Sequence, residues 1–449
     1  MIELMLADAA LRVQGKLEGE DVAFRGVTID SRNVRAGMLF AALPGERVDG
    51  HDYISTALEA GAVAAMVSKR VEHAAPVIRV EDVTGALGAL AKSWREVINP
   101  VVIGITGSNG KTTTKEMVRE ILRRQRTVLA TKGNYNNELG VPLTLFGLSR
   151  DDDIAVIEMG AGKAGDIRYL ADIAQPDIGL VTNVGPAHLE GFGDEAGVAR
   201  AKGEMFESLP DDGWAIMNAD QPWIELWRGM SSACQSLSFG RSAGCDVRLE
   251  QEAERFFVHT PEGSFPLALA LPGGHNQENA LAATAVALAA GIGLEQIQAG
   301  LEAVSPVSGR LQIRQAADGW KVIDDTYNAN PASLYAALQV LANEGGEPWL
   351  VLGDMAELGS HSHKLHAEMG DAARSLGVRR LYAMGDASRA AVEAFGDGAT
   401  HFSHLADLLE RLLSELNKNV TCLVKGSRSM GMERVVEAIS RRDVAREAG

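Results

Sequence analysis

The stretch GITGSNGKTTTKE, residues 104–116, closes on the Gly-Lys-Thr of a phosphate-binding loop, but its glycines stand out of the usual register. The strict pattern G-x-x-x-x-G-K-[ST] requires glycine at the position held by Ile105. Glycine stands instead at Gly104, Gly107 and Gly110. Before the loop, PVVIGIT (100–106) is a continuous apolar run of buried-strand type. After it, Met117, Val118, Ile121 and Leu122 share one helical face. A glycine-rich turn between strand and helix exposes successive backbone N–H groups, and the helix N-terminus adds about half a positive charge. Lys111 supplies a full charge to the phosphates, and the Thr112 hydroxyl can ligate magnesium. The run therefore predicts a nucleoside triphosphate site over Gly107, Ser108, Asn109, Gly110, Lys111, Thr112 and Thr113. The competing reading, a tight turn with an exposed lysine, does not account for the strand and helix on either side.

Working outward, DIAVIEMG (153–160) and DIGLVTNVG (177–185) are two more buried-strand runs ending in glycine and polar residues. Alternating strands and helices imply a parallel sheet whose ligands gather at the carboxyl ends of its strands. Glu158 ends one run and His188 follows the other, so both are candidate metal ligands beside the loop. Magnesium prefers oxygen, and a loop-packing histidine stays an open alternative at His188. Lys202 sits on a helix in ARAKGEMF, where residue type alone favours a solvated surface lysine. Further on, WKVIDD, PWLVLGD, RRLYAMGD and NVTCLVKGS finish apolar strands with Gly, Asp or Lys, which predicts a second nucleotide-fold sheet. Residues 1–82 carry shorter strand-like runs (27–30, 38–43, 62–67, 76–80) and a helix-like stretch at 53–60. The expected fold class is α/β in three domains: a small α/β domain at 1–82, a central P-loop parallel-sheet domain at 83–309 and a C-terminal Rossmann-like domain at 310–449.

Composition narrows the function. A net charge of −17 leaves no basic face for a nucleic-acid backbone. Anionic small substrates remain possible, because local cations outweigh distant charge beyond a Debye length of about 8 Å. Cys234, Cys245 and Cys422 are odd in number, far apart and without a C-x-x-C, as expected of thiols in a reducing compartment. Glu3 and Asp8 stand where a secretory signal would be positive, and ALAATAVALAAGIG (280–293) is too short to span a bilayer. A buried helix and a cytoplasmic protein with no membrane insertion are expected. His361, His363 and His366 invite a zinc reading, but their spacing fits no standard motif, and helix-terminal or hydrogen-bonding roles are preferred.

With these residues in view, the chain resembles the Mur ligase family over almost its whole length. That family's loop reads G-x-T-G-x-x-G-K-T, as Gly104 to Thr112 does here. DSRNVRAGMLFAALPGERVDGHDY (30–53) resembles its UDP-sugar segment, which implies Ser31 and Arg32 as uridine-diphosphate contacts. KGNYNNELGVP (132–142) resembles the loop that places Asn136 and Asn137 near metal and substrate. Glu158 and His188 match the magnesium ligands, and Lys202 matches a lysine that relatives carry N-carbamylated beside a second magnesium. LPGGHNQENALAA (271–283) resembles the adenine segment, through His275, Asn276 and Asn279. SGR (308–310) matches a hinge whose Arg310 meets the phosphates, and Asp325 in DDTYNANP matches a residue that closes over the nucleotide.

The runs DDTYNANPAS (324–333) and VLGDMAELGSHSHKLHAEMG (351–370) look like the D-Ala-D-Ala-adding branch, and the Asp-Asn-Pro-Arg motif of the diaminopimelate- or lysine-adding branch is absent. Of the three histidines, only His366 matches the family pattern. The resemblance implies ATP and magnesium, with UDP-N-acetylmuramoyl-tripeptide and D-alanyl-D-alanine as small-molecule partners. It places the dipeptide near Tyr327, Asn328 and Asn330. No nucleic-acid partner and a monomer are expected. A folylpolyglutamate synthetase-like ligase and a nucleotide-gated switch remain the alternative functions.

Overall fold

A computed structural model describes residues 1–45, 48–71, 75–186, 189–231, 233–316 and 319–446. The loop strand Val101–Thr106 is buried from Val102 onward and lies inside a nine-stranded sheet. Its neighbours are Ile154–Glu158 on one side and Ile178–Val181 on the other, aligned so that Glu158 pairs with Ile105 and Val181 with Thr106. Val128–Ala130 lies beyond the first neighbour; Trp214–Asn218, Gln235–Gly240 and Val247–Glu252 lie beyond the second. All these pairings are parallel. The chain leaves the loop strand toward one edge and then returns across it, which opens a crevice at the carboxyl ends.

The far edge departs from the all-parallel sheet that the strand–helix alternation predicts. Arg255–Thr260 and Gly263–Pro266 add as antiparallel strands. Only Ala253–Glu254 and Pro261–Glu262 connect these strands, and a two-residue connection can join only antiparallel neighbours.

The helix Lys111–Leu122 buries Met117, Val118, Ile121 and Leu122 completely, as their spacing predicts. Burying each such side chain contributes about 1.5–3 kcal/mol. They pack against Gly274–Ala289 and Leu294–Glu302. Gly300 runs so close that an added Cβ would lie 2.5 Å from the Ile121 Cα. The apolar 280–293 stretch is thus a buried helix end, with Ala280 through Ala287 all shielded.

A six-stranded sheet follows, ordered Gln312–Gln315, Lys321–Asp325, Val420–Lys425, Glu347–Gly353, Arg380–Met384 and Ala399–Phe402, parallel except for its first strand. Near the N-terminus a five-stranded sheet runs Lys16–Glu18, Val77–Arg79, Ala64–Val67, Leu39–Ala41 and Val27–Thr28. The protein is an α/β chain of three domains.

Its two junctions differ in chemistry. One apolar cluster passes without a break from Ile2, Leu39 and Ala64 in the N-terminal unit through Leu87 and Trp94 to Val102, Ile157 and Trp227 in the central one. A polar bond reinforces it, the Ile2 N–H donating to the Phe146 carbonyl at 2.7 Å, and within the central unit the Trp94 indole donates to the Leu148 carbonyl at 3.1 Å. The clusters on the two faces of the six-stranded sheet contain no residue before Leu311. Among the described residues, no helix is long and apolar enough to cross a membrane.

Candidate active site

Two glycines permit the loop's path. Gly107 has φ +149°, and a Cβ there would lie 1.9 Å from Thr182 Oγ1. Gly110, at φ +82°, caps the helix in a left-handed conformation, and a Cβ would meet Asn279 Oδ1 at 2.3 Å. The neighbouring strand end fixes the loop's outer edge. Ser108 N–H donates to the Asn183 carbonyl at 2.9 Å, and Asn109 N–H to Asn183 Oδ1 at 2.9 Å. Thr182 Oγ1 in turn donates to the Asn109 carbonyl at 2.6 Å. The loop's path is fixed by these neighbours.

Lys111 folds back to donate to the Gly107 carbonyl at 2.7 Å. Desolvation lowers its pKa, and the Arg310 charge adds to this against the opposing pull of Glu158. A polyphosphate would relieve that cost. Thr112 Oγ1 donates to Glu158 Oε2 at 2.8 Å and accepts from Arg310 Nη2 at 2.8 Å. Asn136 Nδ2 holds the other Glu158 oxygen at 2.8 Å. Thr112 and Glu158 therefore bring a hydroxyl and a carboxylate together at the helix start, and such an all-oxygen donor pair fits magnesium. His188, the other expected ligand, lies outside the described residues.

Lys202 corrects the surface reading. The helix Glu195–Glu207 buries it to 2% exposure, with its ammonium 5.9 Å from the Phe192 ring centroid. Burial, helped by the charge of Lys111, pushes its pKa down to about 7. As an ammonium it cannot ligate a metal; as a neutral amine it can add carbon dioxide.

The third domain reaches the same place. Arg310 lies 4.1 Å over the Tyr327 ring, and burial raises the Tyr327 pKa. Asp325 accepts from the Leu311 N–H at 3.2 Å and pairs with the buried Lys425, which also donates to the Asn328 carbonyl at 2.9 Å. Asn330 caps the helix Pro331–Asn343 through a capping box with Ser333, and its Nδ2 reaches Asn109 Oδ1 at 2.8 Å. Against the loop, Asn279 Nδ2 donates to Asn276 Oδ1 at 3.2 Å and Asn276 Nδ2 to the Pro272 carbonyl at 2.7 Å. His275 beside them has its pKa lowered by desolvation.

A cavity of about 650 Å³ gathers these groups. It is lined by Gly107 through Thr113, Asn136, Asn137, Glu158, Lys202, His275, Asn276, Asn279, Arg310, Asp325, Tyr327, Asn328 and Asn330. Sequence reasoning missed Asn183, Gln221 and Lys425 in the same lining. Lys425 had a signal, since it ends the apolar run NVTCLVKGS.

Ser31 and Arg32 do not line this cavity. They form a short 3-10 turn on the N-terminal unit, where Asp30 accepts from Arg32 Nε at 2.9 Å and Nη2 at 2.7 Å. That side-chain hydrogen bond holds the Asp30 carboxyl down to about 2. Nor do the three histidines form a metal site. His361 and His363 are exposed, while the buried His366 accepts from the Met355 N–H at 2.9 Å and donates to the Ser362 carbonyl at 2.7 Å.

Three family models match the chain: the Mur ligase family catalytic domain over 23–95, the Mur ligase middle domain over 105–287, and the Mur ligase glutamate ligase domain over 309–428. The chain is 42% identical to an Escherichia coli UDP-N-acetylmuramoyl-tripeptide–D-alanyl-D-alanine ligase, covering 98% of this chain and 99% of that one. A crystal structure of MurF from Acinetobacter baumannii superimposes with a TM-score of 0.92 at 35% identity, covering 98% and 99% of the two chains. MurF ligase from Thermotoga maritima in complex with ADP gives 0.84 at 29% identity, covering 94% and 98%.

Proposed function

Because the chain belongs to the Mur ligase family, we propose that it joins UDP-N-acetylmuramoyl-tripeptide to D-alanyl-D-alanine at the expense of ATP, a step of peptidoglycan precursor synthesis that serves cell shape and division. The observation that supports this best is one cavity holding the glycine loop, the Thr112–Glu158 pair and the side chains of the third domain. The relationship runs the length of the chain, which favours this ligase over the folylpolyglutamate synthetase-like alternative.

The chemistry follows from the substrates. A carboxylate is a poor electrophile, so its oxygen first takes the γ-phosphoryl group: an O–P bond forms, the β–γ bridge breaks and ADP is left. The dipeptide amine then attacks the acyl carbon, the C–O bond to phosphate breaks and the amine loses a proton. In this reading the Gly107–Thr113 backbone and Lys111 hold the triphosphate in place, where preorganised donors are worth more than in water. Arg310 adds charge from the third domain. His275, Asn276 and Asn279 meet the base, and Asp325 closes over the nucleotide. Thr112 and Glu158, with His188, would hold magnesium, which when bound offsets charge on the β- and γ-phosphates. Asn136 and Asn137 face the sugar peptide, Ser31 and Arg32 take its uridine diphosphate, and Tyr327, Asn328 and Asn330 receive the dipeptide. An acyl phosphate is lost to water, so closure of the third domain belongs to the same reading.

Lys202 would serve a second magnesium as a carbamate. With a pKa of about 7, half its amine is neutral at that pH, against roughly one part in three thousand for an ordinary lysine. The carbamate carbon signal from ¹³C-bicarbonate should therefore grow as pH rises through about 7. Growth only above pH ~10, as for an ordinary lysine, would contradict the assignment.

Phosphate release measured with the UDP-tripeptide, with and without D-alanyl-D-alanine, tests the function. Acceptor-dependent release with the pentapeptide product seen by mass supports the ligase. Equal release without acceptor would support the nucleotide-gated switch instead. The same reading makes the protein a cytoplasmic monomer, which fractionation and light scattering check.

A further inference from the structure

Glu158 is the last residue of its strand, and one neighbouring strand stops short of it. The ladder between Ile154–Glu158 and Val128–Ala130 ends at the Val156–Ala130 pair. Beyond that pair the Glu158 N–H on this side has no strand carbonyl to meet. Thr131 supplies the acceptor: its Oγ1 takes the Glu158 N–H at 3.0 Å, while its own N–H donates to the Val156 carbonyl at 3.0 Å.

Thr131 is anchored from a third direction. Lys115, one turn into the helix that begins at Lys111, is 1% exposed and donates its ammonium to the Thr131 carbonyl at 2.5 Å. Its charge is met by Glu116 at 2.8 Å. A buried ammonium is costly unless it is paired and hydrogen-bonded, so this lysine is confined to one place. Thr131 also opens the segment leading to Asn136, whose amide holds the Glu158 carboxylate and whose carbonyl accepts from the Gly160 N–H at 2.7 Å.

We infer that Thr131 and Lys115 are positioning residues that tie the loop helix to the Glu158 strand, and so set the Thr112–Glu158 spacing for the metal of the nucleotide complex. This rests on the metal role proposed for Glu158. Neither residue lines the cavity.

The test titrates Mn²⁺ by electron paramagnetic resonance in the presence of ADP, which needs neither the sugar peptide nor the acceptor. Thr131→Val keeps the side chain's shape and removes the acceptor. It should weaken Mn²⁺ binding about fivefold, as expected for one hydrogen bond, with UDP-tripeptide affinity unchanged. Thr131→Ser should restore wild-type binding, and Lys115→Met should shift the titration in the same direction as Thr131→Val. The magnesium concentration at half-maximal ligation should move in parallel. A Thr131→Val titration like wild type, or a serine variant as weak as the valine one, would overturn the inference while leaving the ligase reading intact. Wild-type protein that binds ADP but no Mn²⁺ would overturn the metal role of Glu158 and this inference with it.

Discussion

The N-terminal unit and the C-terminal unit each meet the central domain, and the two meetings are built from opposite materials. The first is a continuous apolar core, from Ile2 and Leu39 through Trp94 to Trp227. The second brings the Arg310 guanidinium to the Thr112 hydroxyl and the Asn330 amide to Asn109, beside an open cavity. Apolar burial is non-directional and large, and separating such a core exposes many side chains at once. Two polar bonds next to solvent exchange readily with water, each at a net cost of about 1 kcal/mol. The third domain is therefore the unit expected to move. The N-terminal unit should stay fixed to the central domain, while the third domain should swing about the hinge proposed at 308–310, where Gly309 takes φ +71° and the next residue but one, Leu311, φ +50°. Crystals with and without ligands should differ in the orientation of the third domain and not of the first; identical orientations would break the comparison.

Mutations test it from the strongest effect downward. Trp94→Ala cuts into the apolar junction and should cost about 3–5 kcal/mol in denaturant unfolding. A loss below 1 kcal/mol would mean that the shared core carries little. Lys111→Ala acts on the fixed rim. Ligation should fall by at least a hundredfold, as for other preorganised charge-stabilising groups, with stability nearly unchanged. Retention of a tenth of the rate would contradict its role. Arg310→Ala removes the guanidinium from the mobile junction, and ligation should fall roughly ten- to a hundredfold as a charge-assisted contact to phosphate is lost. The same variant should unfold like wild type, in contrast to Trp94→Ala. Asn330→Ala is the mildest, costing about 1 kcal/mol through the lost helix cap. Asn330→Asp keeps the cap but not the amide donor to Asn109, so calorimetry on the pair separates the cap from the junction.

Much of this was legible in the residues, for physical reasons. Buried parallel strands are continuous apolar runs, so DIAVIEMG and NVTCLVKGS declared themselves, and the polar residues Glu158 and Lys425 at their ends fell on the lining of the cavity. The loop was legible as a glycine-rich turn between a buried strand and a helix start that carries Lys111 and Thr112. The two antiparallel hairpins stayed hidden, because Ala253–Glu254 and Pro261–Glu262 lack the Asn-Gly or Asp-Gly signal of a two-residue turn. Residue type alone pointed to an exposed Lys202, whereas the resemblance already put it at the site; its helix is covered at Val198, Ala201, Met205 and Phe206 as well. Thr131 and Lys115 were invisible for another reason. Their partners are set by where a neighbouring strand stops, and register is a property of the pairing rather than of either segment.

On the proposed function the Gly107–Thr112 backbone and Lys111 grip the triphosphate while the third domain closes over it. The most direct measurement is a crystal structure with a non-hydrolysable ATP analogue and magnesium. The phosphates should lie against the loop N–H groups, with the Lys111 ammonium moved from the Gly107 carbonyl onto them and Arg310 in contact. A triphosphate bound away from the loop, with Lys111 still folded onto Gly107, would contradict the account.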